Sequence, residues 1–600
     1  MTTSFPARQL WRQRFSARSP GPWICASCRR QNGFVRSHSS GRQKQTEETA
    51  EAEKAYYVTT PIFYVNASPH IGHLYSMVLA DSLKRWHALS GDPRKRALLC
   101  TGTDEHGMKV QRAAEREEDP ADRHPKKFAD KNAAAFLRLA RDADLAHDRF
   151  IRTTDPDHAA AVQHFWRQLR DRGYIYESKH QGWYSVGDEC FVPEATLVHR
   201  LDPLTGKAFA AAGESGHPVE WVEEKNYLFR MTALRDRLLH FYEQNPGWIT
   251  PATRMNEVVS WVTNSLADLS ISRPRSRLSW GIEVPDDATQ TVFVWVDALV
   301  NYLTMAGYPN WAPGHEHQGG WPADLHVIGK DILRFHCVYW PALLLALDLP
   351  LPKRVLSHAH WTMNHKKMSK SVGNVVDPFL ALERFGVDTM RFYLIHGGSN
   401  TQDSDYANTY IVDRYQTLLQ DKLGNLASRT VRTKLWNLGK VVRRVSEGAM
   451  HDIASSGQVY SDQLLLLEEL PSTVARHMDS LDPGAALRHI SQAIIKTNKY
   501  ISESRPWEQA RPGPGTAELR ESQLLRTVWL ASETLRLLGI LLQPFIPTKA
   551  GVLLDMLGVQ AERRNLLYAK FGSDLEYGTS MIPLGKGVEG TLFPPLIAQN

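Results

Sequence analysis

The 600-residue sequence is long enough for two or more domains, and its 42% apolar and 23% charged residues are typical of a globular protein. No apolar run approaches the ~18 residues that a membrane span requires, so we expect no membrane partner. The formal net charge of +6 arises in the first 46 residues, which hold nine Lys and Arg and no acidic residue, whereas the rest carries −3. Overall charge therefore does not predict nucleic-acid binding, which would need a local basic patch.

The amino-terminal segment, residues 1–46, is rich in Arg and Ser, and its first acidic neighbour is Glu47. Bulky residues are spaced along it: Phe5, Leu10, Trp11 and Phe15. This composition predicts a mitochondrial transit peptide and therefore a place in the mitochondrial matrix. The alternative is a basic arm that binds RNA. Residues 47–54 follow as a charged linker.

Short apolar runs that end in polar motifs come next. They cover residues 55–60, 97–100, 291–296, 325–328 and 354–356. Runs of this kind suit strands that are buried on both faces, and helical stretches separate several of them. The pattern predicts a Rossmann-type α/β domain with a parallel sheet, in two halves at 55–172 and 266–402. Ligand groups are expected at the carboxyl ends of its strands.

Two further regions differ from this α/β pattern. Residues 173–265 are rich in aromatic residues, Gly and Pro, which predicts a small, mainly β insertion between the halves. From residue 403 the sequence becomes helical, with apolar residues spaced along one face of a long helix: Leu524, Val528, Ala531, Leu535, Leu538 and Leu542. We predict an α-helical domain over 403–565 and a tail over 566–600 that packs on the body of the protein.

Two short polar segments carry the strongest chemical signals. His70-Ile-Gly-His73 follows the first predicted strand and opens a helix. There Gly72 would let a flat base approach, and the two histidines can donate hydrogen bonds to phosphate oxygens. Lys367-Met-Ser-Lys-Ser371 lies in a loop after the last predicted strand, where Lys367 and Lys370 can neutralise charge on a leaving pyrophosphate. Each segment alone has an ordinary alternative, a structural helix start or a solvated basic turn.

Together and in this order, the two segments resemble the HIGH and KMSKS motifs of class I aminoacyl-tRNA synthetases, and the resemblance extends from Tyr56 to about Gly558. It implies ATP as a substrate, with Mg²⁺ held mainly by phosphates and water. The implied catalytic residues are His70, Gly72, His73, Lys367 and Lys370. The implied ATP-binding residues are His70, Gly72, His73, Gly329, Asp331, Lys367, Met368, Ser369, Lys370 and Ser371.

Within this class, four blocks resemble the methionyl-tRNA synthetase family: residues 60–73, 101–107, 293–298 and 328–336. By resemblance, methionine would be bound by Ile62, Tyr64, Asp104, Trp295, Ala298, Tyr302, Ile332 and His336. The chemistry agrees, because Asp104 can pair with the ammonium group and aromatic faces such as that of Trp295 suit a thioether sulfur. His336 could donate to the sulfur. The family usually has Pro where this chain has Leu299.

In the helical region, residues 424–429 and 505–507 resemble the anticodon-reading elements of the same family. Asn425 and Arg429 lie four residues apart and so share a helix face, while Trp507 can stack on an unpaired base. The implied partner is tRNA(Met) with a CAU anticodon. The alternative assigns Asn425 to a helix cap, Arg429 to the surface and Trp507 to the core.

No structural zinc is predicted, because the stretch where many methionyl enzymes carry CxxC knuckles, residues 182–191, holds only Cys190. The resemblance implies a monomeric ligase that activates methionine as methionyl-adenylate and transfers it to the 3′ end of tRNA in mitochondrial translation. A non-catalytic RNA-binding paralogue and a nucleotidyltransferase are the alternatives. The first would not need both Lys367 and Lys370, and the second would not need the helical domain.

Overall fold

A parallel sheet followed by a helical region accounts for most of the chain. The computed structural model describes residues 54–202, 205–213, 215–311, 314–368, 375–448 and 458–596, which belong to one structural unit, Ala52–Asn600. The predicted transit peptide, 1–46, and all of the predicted linker except Lys54 lie outside these ranges. Within the described ranges, no helix has the length and apolarity needed to cross a bilayer.

The first elements are β1 (Tyr56–Tyr64), α1 (Ile71–Ala88), β2 (Ala97–Asp104), α2 (Met108–Glu115), α3 (Pro125–Asp142), β3 (Arg149–Arg152) and α4 (Pro156–Asp171). Next come β4 (Ile175–Ser185), β5 (Cys190–Val192), β6 (Leu197–Leu201), β7 (Ala208–Ala212), β8 (Val219–Phe229), α5 (Arg235–Gln244), β9 (Ile249–Thr250) and α6 (Thr253–Ser265). They are followed by β10 (Leu269–Ser270), β11 (Ser272–Pro274), β12 (Glu283–Val284), β13 (Asp287–Val292), α7 (Val294–Met305), β14 (Leu325–Gly329), α8 (Trp340–Ala346) and β15 (Val355–His358).

The remaining strands are short: β16 (Trp361–Met363), β17 (Lys366–Lys367) and, after α9 (Pro378–Phe385) and α10 (Val387–Gly397), β18 (Ser404–Asp405). The helical region contains α11 (Asn408–Arg414), α12 (Asn425–Val431), α13 (Leu438–Ser446), α14 (Gln458–Asp479), α15 (Pro483–Ser504), α16 (Pro506–Gln509), α17 (Ala517–Leu542) and α18 (Pro547–Leu557).

Six parallel strands form the main sheet in the order β3-β2-β1-β14-β15-β9. Side chains alternate along the central strand β1, so Tyr57 and Val58 are both fully buried but on opposite faces. Helices α1 and α3 cover one face, and α4 and α7 cover the other. This arrangement confirms the predicted parallel α/β sheet with helices on both faces.

One predicted strand is wrong. The run 291–296 is predicted as part of the parallel sheet, but β13 ends at Val292 in a separate antiparallel sheet with β11 and β12, and α7 begins at Val294. Residues 294–304 of α7 are buried on every side of the helix. A helix of this kind has no polar face, so its sequence resembles that of a buried strand. The edge strands β3 and β9 are absent from the prediction.

An antiparallel sheet with the order β10-β8-β4-β5 occupies the region predicted as a β insertion. Its long pair β4 and β8 runs from Ile175 opposite Phe229 to Ser185 opposite Val219. The predicted range, 173–265, also includes α5, α6 and β9, and β9 pairs with β15 in the parallel sheet. Within the predicted range the strands of this antiparallel sheet therefore end at Phe229, and its short strand β10 lies just beyond the range.

The helical region shares its core with the sheet face that α1 covers. In α17 the predicted positions from Val528 to Leu542 are buried, and Leu524 is partly buried. The helix ends at Leu542, shortly before Pro544, whose ring and missing N–H are incompatible with a helix interior. The buried Arg391 on α10 pairs with Asp81 on α1 at 2.5 Å. It also donates to the carbonyl oxygens of Pro544 and Phe545, both at 3.0 Å, and so connects the helical region to the sheet.

Candidate active site

A cleft of about 1420 Å³ opens where the strands of the parallel sheet end. Tyr64, Asp104, Gly329 and His358 line it, and each is the last residue of its strand: β1, β2, β14 and β15 respectively. Ligands of open α/β sheets bind in this position. The cleft brings together all eight residues predicted for methionine, and His70, Gly72, His73, Gly329, Asp331 and Met368 of those predicted for ATP.

The start of α1 forms one wall of the cleft. His70 is the N-cap, and its Nδ1 accepts a hydrogen bond from the backbone N–H of Gly72 at 3.1 Å. In return, Nδ1 of His73 accepts from the backbone N–H of His70 at 3.1 Å, and the two rings stack with their centroids 3.7 Å apart. A Cβ at position 72 would lie 2.9 Å from Cε1 of His70, so the glycine makes room for this ring. The motif is a reciprocal helix cap with its imidazoles on the cleft.

Three buried polar atoms of the cleft have no hydrogen-bond partner among the described residues: Oδ1 of Asp104, Oη of Tyr64 and Nε1 of Trp295. Burial raises the pKa of Asp104 well above its usual range, and the nearby charges of Asp297 and Glu189 raise it further. Unpaired buried groups of this kind cost free energy unless a ligand supplies partners. The pocket can therefore offer the oxygen of Asp104 to a ligand donor and the indole N–H of Trp295 to a ligand acceptor.

Trp295, Ala298 and Tyr302 reach the cleft from one face of α7, because they are three and four residues apart. The indole of Trp295 stacks on Phe335 at a centroid distance of 3.5 Å and meets the ring of Tyr64 edge-on at 6.2 Å. Phe335 is not among the site residues predicted from the sequence, although it directly precedes His336. A supporting aromatic residue of this kind has no motif of its own.

His336 forms hydrogen bonds to protein groups through both of its ring nitrogens. Its Nδ1–H donates to the carbonyl oxygen of Ile332 at 3.0 Å, so Nε2 accepts from the hydroxyl of Tyr302 at 2.8 Å. Burial lowers the pKa of His336 to about 4, which keeps the ring neutral near pH 7. Both ring nitrogens are thus engaged within the protein. The predicted hydrogen bond from His336 to a thioether sulfur is not available in this arrangement, and the residue holds Tyr302 in place.

Residues around Gly329 form the opposite rim. Oδ1 of Asp331 lies 3.1 Å from Nε2 of His360, and a Cβ at position 329 would come within 2.7 Å of the same oxygen. Behind them, the hydroxyl of Ser76 on α1 lies 2.8 Å from Nε2 of His358 at the end of β15. This bond links the start of α1 to the second half of the sheet. Ser76 and His360 are not among the site residues predicted from the sequence.

The predicted basic loop is described only in part. Lys367 ends β17, and Met368 is buried against the cleft, which Val375 also lines where the described chain resumes. The side chain of Lys367 and the residues Ser369, Lys370 and Ser371 lie outside the described residues. Both flanks of the loop therefore border the cleft.

A second, smaller cavity of about 240 Å³ lies in the helical region. Arg429 on α12 and Trp507 on α16 line it, with the guanidinium 4.9 Å from the centre of the indole ring. Asn425 is exposed one turn earlier on α12 and does not line the cavity. The structure thus brings Arg429 and Trp507 into contact and leaves Asn425 beside them on the surface.

In the described part of the chain, no three His, Cys, Asp or Glu side chains are grouped so as to hold a metal ion. Cys190, the cysteine of the insertion, is partly buried and forms no disulfide. The expectation that the protein needs no structural zinc remains a prediction.

Comparison with known proteins identifies the family. The model of the tRNA synthetases class I (M) matches residues 56–431. A probable mitochondrial methionine–tRNA ligase of Neurospora crassa is 55% identical over 584 residues, covering 96% of this chain and 91% of that protein. The mitochondrial methionine–tRNA ligase of Homo sapiens is 41% identical over 540 residues, covering 88% of each chain.

A solved structure agrees with these relatives. The crystal structure of Mycobacterium tuberculosis methionyl-tRNA synthetase bound by methionyl-adenylate matches with a TM-score of 0.78 and 38% identity, covering 90% of this chain and 100% of that one. Family model, full-length relatives and fold point to the same group of enzymes. The chain therefore belongs to the class I methionyl-tRNA synthetases.

Proposed function

We propose that this protein is a methionine–tRNA ligase that acts in the mitochondrial matrix, on tRNA(Met) with a CAU anticodon. The observation that carries the proposal is that one cleft joins the His70–His73 helix start to an aromatic pocket around Asp104, whose buried Oδ1 has no hydrogen-bond partner among the described residues. Such a cleft can hold a nucleotide and an amino acid next to each other. The relatives named above supply the identity of the amino acid.

The proposed reaction has two steps. A carboxylate oxygen of methionine attacks the α-phosphorus of ATP, the bond to the bridging oxygen breaks, and pyrophosphate leaves. A ribose hydroxyl of the terminal adenosine of tRNA then attacks the carbonyl carbon, releasing AMP and a proton. No protein nucleophile is needed, so positioning and charge stabilisation provide the rate. Mg²⁺ accompanies ATP and is held by phosphate oxygens and water.

Each substrate group has a proposed partner in the cleft. The ammonium group of methionine would pair with Asp104, and its thioether would lie against the faces of Trp295, Tyr64 and Tyr302. Ile62, Ala298, Ile332 and His336 would complete this pocket. ATP would bind at His70, Gly72 and His73, at Gly329 and Asp331, and at the loop from Lys367 to Ser371. Lys367 and Lys370 would stabilise the departing pyrophosphate.

The helical region would read the anticodon. Trp507 can stack on an unpaired base, and the guanidinium of Arg429, already above its ring, can bind a base edge or phosphate. Asn425 on the same helix is exposed and can contact a neighbouring base. We expect the protein to act as a monomer without zinc.

The decisive experiment measures the exchange of pyrophosphate into ATP with each amino acid in turn, and then the charging of tRNA. Methionine alone should support exchange, and tRNA(Met) alone should be charged. Exchange without charging would favour a nucleotidyltransferase, and RNA binding without either activity would favour a non-catalytic paralogue. Fusion of residues 1–46 to a fluorescent protein tests the location separately, because a cytosolic signal would contradict it.

A further inference from the structure

The turn at Gly187–Glu189, between β4 and β5 of the insertion, contacts two different regions. Asp188 faces the tip of the insertion, where its Oδ1 lies 2.7 Å from Nδ1 of His217 and its Oδ2 accepts from the hydroxyl of Ser215 at 2.5 Å. Glu189 faces the parallel-sheet domain and is fully buried. Its backbone has a φ of +53°, a left-handed conformation that a residue with a side chain adopts only under strain. Strain kept at a buried carboxylate suggests a function.

Glu189 holds the first turn of α2. Its Oε1 accepts a hydrogen bond from the backbone N–H of Lys109 at 2.5 Å, and its Oε2 accepts from the hydroxyl of Tyr184 at 2.8 Å. Gly107, the N-cap of α2, has no side chain to cap the helix. A carboxylate from the insertion therefore serves as the cap, at the end of the helix where negative charge is favourable. A Cβ at position 107 would lie 3.1 Å from Oε1 of Glu189, so the glycine permits this approach.

The start of α2 is also part of the candidate amino-acid pocket. Asp104 precedes α2 by four residues. The ammonium group of Lys109 lies 5.4 Å from the ring centre of Tyr64 and donates to the carbonyl oxygen of Gly187 at 3.2 Å. Asp104, Lys109 and Tyr64 all line the cleft. Glu189 does not line it and can act on a ligand only through these neighbours.

We infer that Glu189 is a positioning residue for the amino-acid pocket, because it fixes the start of α2, and with it Asp104 and Lys109, to the insertion. This inference rests on the proposed function. The insertion would thereby support methionine binding, because it holds residues of the amino-acid pocket in place. Loss of the cap should disturb the methionine side of the cleft and leave the ATP side, built on α1 and β14, unchanged.

The test uses pyrophosphate exchange with the full-length protein. Glu189→Ala removes both hydrogen bonds and should raise the KM for methionine about tenfold, with the KM for ATP unchanged. Glu189→Gln should stay within about twofold of wild type, since its amide oxygen can accept from Lys109 and its amide N–H can donate to Tyr184. Glu194→Ala, an exposed glutamate of the same insertion, is the control and should leave both constants unchanged.

Tyr184→Phe provides a second variant, which removes only the hydroxyl and should raise the KM for methionine to a smaller extent. It serves as the test if Glu189→Ala does not fold. Equal rises in both KM values, unchanged values, or a Glu189→Gln as impaired as Glu189→Ala would overturn the inference. Wild-type protein without methionine-dependent exchange would refute the proposed function, and the inference with it. Normal wild-type exchange with insensitive variants would refute the inference alone.

Discussion

Asp104 combines burial with an unpaired oxygen, and this combination makes its contribution measurable. If it binds the ammonium group of methionine, Asp104→Asn keeps the shape and removes the charge. We expect the KM for methionine to rise about 10- to 100-fold, because hydrogen bonds to charged groups contribute about 1.5–3 kcal/mol. The KM for ATP should not change. The exposed Asp142→Asn is the matched control, and equal effects of the two variants would contradict the assignment.

The same residue predicts the pH dependence of methionine activation. Because burial raises the pKa of Asp104 above its usual 3.8, the side chain takes up a proton at a higher pH than an ordinary carboxyl group. The protonated form cannot pair with an ammonium group, so kcat/KM for methionine should fall as the pH falls. The fall should begin well above pH 3.8 and should be absent in Asp104→Asn. An identical profile in wild type and variant would assign the titration to another group.

Lys370 is predicted to contribute most to adenylate formation. Lys370→Ala should lower the rate of pyrophosphate exchange by about 10²- to 10³-fold, the cost of losing one group that stabilises transition-state charge. Lys366→Ala, an exposed lysine four residues earlier on β17, is the control and should retain near-normal exchange. A Lys370→Ala protein with near-normal exchange would rule out this role.

Individual residues of the candidate site were predictable where a motif carries them. Resemblance selected His70, Asp104 and Trp295, and the structure places these residues in one cleft. It did not select Phe335 or Glu189, since an aromatic support or a cap supplied from a distant strand depends on three-dimensional contact. The hydrogen bonds that His336 makes within the protein were not predictable for a related reason. The partners of its two nitrogens, Ile332 and Tyr302, are known only once the helices are packed.

At the level of elements, the contact between α12 and α16 separates the two proposed activities. Trp507→Ala removes the ring beneath the guanidinium of Arg429. Because Trp507 does not line the catalytic cleft, the change should leave the cleft intact. Charging of tRNA should fall by about 10-fold or more, since stacking on a base contributes about 1–3 kcal/mol. Pyrophosphate exchange should remain near normal. Equal loss of both activities would indicate a folding defect instead of a lost base contact.

Secondary structure was predictable where the length and periodicity of an apolar segment fit only a helix or only a strand. The spacing of its apolar residues predicts the long helix α17. Short apolar runs predict the strands β1, β2, β14 and β15. Residues 291–296 were misassigned because a fully buried helix and a buried strand have similar compositions. The edge strands β3 and β9 span only four and two residues, too few to show any period. Family membership and fold class, which depend on the whole pattern, are confirmed.

On the scale of the whole molecule, the ion pair of Arg391 and Asp81 should be a major determinant of stability. Arg391 also donates from Nε to the carbonyl oxygen of Phe545 at 3.0 Å and from Nη1 to that of Ala143 at 3.2 Å. It is completely buried. Arg391→Met would leave these carbonyl groups without their donor and would remove one of the two cations paired with the buried Asp81, which keeps only Arg85. The free energy of unfolding should fall by about 3–5 kcal/mol, measured by denaturant titration.

A matched exposed pair provides the control for this prediction. Arg94 bonds to Asp92 at 2.9 Å, but its side chain is 78% exposed. Arg94→Met should change the free energy of unfolding by at most about 1 kcal/mol. If Arg391→Met had an equally small effect, the buried pair would be unimportant for holding the helical region to the sheet.

The central position of β1 has a consequence for biosynthesis. On one side β1 pairs with β2, which follows it closely, but on the other side its partner is β14, where Val58 lies opposite Leu325. A chain made from its amino end carries an open strand edge until some 270 residues more have been added. Contacts so distant in sequence form slowly. Nascent or newly imported protein should therefore depend on chaperones until β14 is available to pair with β1 in the centre of the sheet.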